Sequence, residues 1–130
     1  MRHETGSRRI AVVQSSVNVR RLTPGFAPFA GLDYDFWIID LFRPSGPLLD
    51  SLREWQPSAI VTEYLPGLTE KLLELGCPVV LVPSDQEVAG VHRVDVDDPA
   101  IGRLAAEHLQ GRGYRNFAFG GRRDAHYAAQ

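Results

Sequence analysis

The residues of this 130-residue chain whose types could do chemistry sit just past the ends of its apolar runs. Gln14, Ser15 and Ser16 follow Ile10–Val13, Glu63 and Tyr64 follow Ala59–Val61, and Ser84 and Asp85 follow Pro78–Val82. Asp97 and Asp98 precede an apolar-periodic segment, and Gly120, Gly121 and Arg122 follow Asn116–Phe119. Carboxylates, amides and guanidinium forks can each hold a pair of hydroxyls, and an aromatic ring such as Tyr64 can stack on a pyranose face. The chemistry this set suits is recognition of a sugar. Because loops at strand ends are polar in any case, each of these residues also has a plain capping or solvent-facing reading.

Patterns for other chemistries are missing. The turn Gln14-Ser15-Ser16-Val17-Asn18 has no glycine to let backbone amides approach a pyrophosphate. Asp40 stands where a dinucleotide fold would hold a ribose, but without the glycine turn it reads as a strand-end or capping carboxylate. A receiver domain needs an acidic pair after its first strand to hold Mg²⁺, and a hydrolase needs a G-x-S-x-G elbow; neither pattern occurs. His3, His92, His108 and His126 lack metal-ligand spacing, and His108 falls on an apolar helical face. No catalysis, cofactor or metal is expected.

The elements that must position these residues alternate along the chain. The apolar runs Ile10–Val13, Phe36–Ile39, Ala59–Val61, Pro78–Val82 and Asn116–Phe119 read as strands buried on both faces, as in a parallel sheet. Pro47–Trp55 puts Leu48, Leu49, Leu52 and Trp55 on one helical face, and Gly67–Leu75 does the same with Leu68, Leu72 and Leu75. In Pro99–Gln110, Asp98 is placed to cap the helix, Pro99 suits its first position, and Ile101, Leu104, Ala105, His108 and Leu109 line one face. Pro24, Gly25 and Pro28 interrupt the stretch from Val17 to Leu32, so one or two helical turns at most are expected there. Strand starts spaced by one strand–helix unit predict an α/β fold with a doubly wound parallel sheet.

Sixteen acidic against fourteen basic residues give a formal net charge of −2, which lacks the basic excess that carries phosphate-backbone binding. This segment is not expected to bind DNA by itself. The single Cys77 precludes an internal disulfide, and the four apolar residues after the charged N-terminus fall far short of a secretory signal or a bilayer span. A cytoplasmic protein without membrane association is expected.

Residues 94–121, VDVDDPAIGRLAAEHLQGRGYRNFAFGG, resemble the effector domain of LacI-type regulators, in which a D-N-x-x-A-G-x-x-A-x-x-H-L helix is followed by G-H/Y-R-x-I-A-x-x-G. The matching residues are Asp97, Asp98, Gly102, Ala105, His108, Leu109, Gly113, Tyr114, Arg115, Ala118 and Gly121. Residues 52–61 and 72–85 resemble two strands of the same domain, so the likeness covers nearly everything from residue 34 onward. Only nine residues precede Ile10, too few for a LacI-type DNA-binding headpiece. This favours the branch resembling xylose-operon regulators, with a sugar-binding domain first and an AraC-type helix-turn-helix domain last.

The resemblance implies the N-terminal lobe of a periplasmic-binding-protein-like (type I) domain over residues 10–121. Residues 1–9 would be a disordered N-terminus, and residues 122–130 the truncated start of a crossover to a missing second lobe. It implies a bacterial transcription regulator whose effector is a sugar such as xylose, which reaches DNA only through a domain absent from this chain and forms a homodimer. Ser15, Ser16, Glu63, Tyr64, Ser84, Asp85, Asp97 and Arg122 are the expected ligand-binding residues, with Asp97 contacting ligand at the lobe interface. A lobe of a sugar-transport receptor and a small α/β enzyme are the alternatives.

Overall fold

The computed structural model describes residues 6–43, 46–83 and 86–121. It divides into two units, Met1–Val94 and Asp95–Gln130. The first unit runs β1 (Arg8–Gln14), α1 (Ser16–Phe26), a 3-10 turn (Ala27–Phe29), β2 (Tyr34–Asp40), α2 (Leu48–Trp55), β3 (Ala59–Thr62), α3 (Leu68–Leu73), β4 (Val79–Leu81) and β5 (His92–Arg93). The second contains α4 (Asp98–Gly111). No helix among the described residues is long and apolar enough to cross a membrane.

All five strands pair in parallel in the order β2-β1-β3-β4-β5. The alternation of side chains along β1 shows how the sheet is covered. Ala11 and Val13 point to one face, where they join Ile60, Val79 and Leu81 in a core closed by Leu52 of α2 and Leu72 of α3. Trp37, the register partner of Ala11, meets Trp55 of α2 edge-on at 5.4 Å on this same face. Val12 and Gln14 point to the other face, where Phe36, the partner of Ile10, meets Phe26 of α1 at 5.3 Å. Helices therefore lie on both faces of the sheet, the architecture of a doubly wound α/β unit.

Three sequence expectations change. The stretch after β1 forms a three-turn helix rather than one or two turns. Pro24 lies in its last turn, where it removes a single ladder bond, and packing of Phe26 on the sheet outweighs that loss. Just before Pro24, the Thr23 hydroxyl donates to the Val19 carbonyl at 2.6 Å.

Asn116–Phe119 is not a strand, and the fifth strand is His92–Arg93, paired with Val80 and Leu81. A strand exists only where a neighbour's backbone completes its ladder, whatever its own residues prefer. His92 and Arg93, exposed and polar, carry no apolar signal and join the sheet by pairing with Val80 and Leu81. Third, β1 begins at Arg8, because Arg8 and Arg9 pair with Tyr34 and Asp35 within the stretch expected as an N-terminal tail.

The other boundaries fall within two residues of the periodicity. Gly76, at φ +78°, takes the left-handed turn that ends the α3 segment and releases the chain into β4. Gln56 performs the same turn after α2 at φ 53°, where its N–H donates to the Leu52 carbonyl at 3.0 Å.

Candidate functional site

In a sheet ordered 2-1-3-4-5, the connections leaving β1 and β3 depart in opposite directions and open a crevice at the carboxyl ends of those strands. Several polar side chains of the first unit meet here. Glu63, directly after β3, accepts from the Ser15 amide at 2.7 Å through Oε1 and from the Asn18 Nδ2 at 2.8 Å through Oε2. One carboxylate thus ties the end of β3 to the first turn of α1. Ser15 is the helix N-cap and its own hydroxyl makes no capping bond; Glu63 instead accepts from the N-cap backbone amide, as the acidic partner of a capping box does.

Asp40, at the end of β2, holds the other side of the same turn. The Ser16 hydroxyl lies 2.8 Å from Oδ1 and 2.7 Å from Oδ2, and the Phe42 amide donates to Oδ1 at 3.0 Å. The Ser16 bond is the main reason the Asp40 carboxyl ionises below its ordinary range; partial burial opposes the shift, while the Phe42 amide and the charges of Arg43 and Arg20 add to it.

A carboxylate held more acidic in the folded state than in the unfolded chain contributes stability above its unfolded pKa and loses it as pH falls through the folded one. Asp40→Asn should therefore reduce stability at neutral pH, and its deficit against the native chain should shrink below about pH 4. Urea midpoints of both proteins across an acid series test this. A deficit independent of pH would mean that shape rather than charge matters at Asp40.

Gln14 forms the floor. Its side chain leaves the last residue of β1, crosses the end of β3, and donates from Nε2 to the Val82 carbonyl just past β4 at 2.8 Å. The residue is fully buried, and its Oε1 has no hydrogen-bond partner. Because Val82 presents an acceptor, Nε2 must face it, which fixes the amide orientation and leaves Oε1 as the open acceptor.

Of the residues expected to bind ligand, the structure gathers Ser15, Ser16 and Glu63 into one hydrogen-bonded cluster. Tyr64 follows directly and packs partly against the core. Ser84, Asp85 and Arg122 lie outside the described residues. Asp97 belongs to the second unit, where its Oδ1 accepts from the Ala100 amide at 2.9 Å; it, rather than Asp98, is the cap of α4.

Asn18 and Asp40 join the cluster although neither was expected to bind ligand. Asn18 could have been found from its spacing, since it lies three residues beyond Ser15 and so on the same first helical turn. The role of Asp40 needed the tertiary pairing of β1 with β2, which sets Gln14 opposite Asp40.

A second hollow, of about 660 Å³, lies at the amino ends of the strands and is lined by Arg9, Asp35, Trp37, Glu54 and Trp55 among others. It is wide and shallow, and Arg9 is already spent there on the Trp55 carbonyl at 2.7 Å. The chain matches no protein-family model, no curated protein and no solved structure.

Proposed function

We propose that this chain is the ligand-sensing portion of a bacterial, cytoplasmic DNA-binding transcription regulator, and that its effector is a small sugar such as xylose, held in the crevice at the carboxyl ends of β1 and β3. The observation that supports this most is the convergence of two hydroxyl residues, two carboxylates and two amides at the switch point of a parallel sheet, where open α/β sheets take ligands. Such a set can hold vicinal hydroxyls by bidentate bonds, as Asp40 already holds the Ser16 hydroxyl. Sensing rather than catalysis is the reading we adopt. Closure of a second lobe on the sugar would then shift the population of a state that a DNA-binding domain, encoded outside this chain, reads in a homodimer.

Titration of the ¹⁵N-labelled chain with D-xylose, L-arabinose and D-ribose tests the sugar reading. Amide signals of Ser15, Ser16, Asn18, Glu63 and Tyr64 should move together with one of these sugars at millimolar concentration. Spectra unchanged by all three would sink the sugar reading.

A further inference from the structure

An unpartnered acceptor buried beneath a crevice is costly unless something donates to it, because a desolvated polar atom without a partner forfeits the hydrogen bond it had in water. Gln14 Oε1 is such an atom, on a side chain anchored at its other end by Val82. The surrounding groups restrict what can donate. The Ser15 backbone amide and the Asn18 side-chain Nδ2 are spent on Glu63, and the Ser16 hydroxyl is spent on Asp40. Two carboxylates thus bracket the first turn of α1, so an anion approaching that helix N-terminus would come up against them. A phosphate there would meet two like charges, an arrangement that costs affinity. Arg20 and Arg43 act on Asp40 only at longer range and form no ion pair with it.

We propose that Gln14 is the hydrogen-bond acceptor for the ligand of this crevice, and that this ligand is a neutral hydroxyl-bearing molecule and not its phosphorylated form. The proposal rests on the sugar-sensing reading and adds its substrate class and the atom of Gln14 that meets the ligand. Oε1 has no solvent contact in the present state, so a ligand hydroxyl reaches it only as the turn after β1 or β3 gives way by about the breadth of a side chain. The side chains of the crevice are then rich in acceptors, which matches a polyol that donates through each hydroxyl.

The test uses the whole ¹⁵N-labelled chain, with D-xylose, D-ribose, D-ribose 5-phosphate and inorganic phosphate as probes, on the native protein and on Gln14→Met. Methionine keeps the length of the side chain and removes both polar atoms, so the lost Val82 bond is offset by loss of the orphaned acceptor and the variant should melt near the native temperature. Expected are movement of the Gln14 side-chain amide signal with a neutral sugar, about tenfold weaker binding of that sugar by Gln14→Met, and no response to either phosphate.

Binding of ribose 5-phosphate as tight as that of ribose would overturn the inference and leave sugar sensing intact. So would a neutral sugar that binds the native chain and Gln14→Met equally, or one that leaves the Gln14 side-chain signal unmoved. Should Gln14→Met fail to fold, the response of the native Gln14 amide signal still decides between these outcomes. Silence with every neutral sugar would overturn both the inference and the reading beneath it.

Discussion

Leu52→Ala should lower the stability of the first unit by about 2–5 kcal/mol, the largest effect of any single truncation considered. Leu52 is fully buried on the inner face of α2, in one cluster with Ala11, Val13, Ile60, Leu72, Val79 and Leu81. Removing its isobutyl group forfeits the transfer energy of the buried carbons and leaves a cavity under α2. The strand side chains around that cavity are held by backbone ladders and cannot move in to fill it. In a domain whose total stability is about 5–15 kcal/mol, a loss of this size removes a large share of the margin. Urea denaturation should show a lower midpoint at unchanged slope. Leu32→Ala is the control: Leu32 is 73% exposed, so the same change there should fall within about 0.5 kcal/mol of zero. Equal costs at the two sites would mean that the core is not where the burial places it.

Glu63→Ala is the second large effect, expected to cost about 1–3 kcal/mol, because it strands two donors of the first α1 turn at once. The Ser15 amide and the Asn18 Nδ2 both lose their acceptor, and the helix loses the negative charge that favours its N-terminus. Glu63→Gln should recover about half of the loss, since one amide oxygen can still accept from Ser15 while the charge is gone. Hydrogen exchange locates the effect. Protection should fall first at the amides of α1 in Glu63→Ala, while the β3–β4 ladder keeps its protection until global unfolding. If the alanine and glutamine variants were equally stable and equally protected, the tie between β3 and α1 would contribute nothing.

Much of the architecture was legible because it is written in local patterns. The first four strands are short apolar runs, and α2 and α3 carry leucines at helical spacing. Burial of such faces against each other leaves few alternatives, so a parallel α/β sheet follows from pattern alone. The candidate crevice was legible to the extent that polar residues stand at strand ends. Ser15, Ser16 and Glu63 were named from that rule and stand within one hydrogen-bonded cluster.

What the sequence by itself determined, then, is the period of each element and the polarity of the turns between them, both set by residue types within a few positions of one another. Tertiary structure decided everything that depends on a distant partner. α1 persists through Pro24 because Phe26 finds Phe36 on β2. The fifth strand is His92–Arg93 because the free edge of β4 offers it a ladder, whereas Asn116–Phe119, with the stronger β-forming residues, has no ladder among the described residues. Glu63 and Asp40 grip the start of α1, and the Gln14 amide spans to Val82, only because parallel pairing brings the ends of four strands to one edge. Hydrogen bonds between residues 24 to 68 positions apart leave no trace in local spacing, and they decide which polar atoms are satisfied and which one is left open.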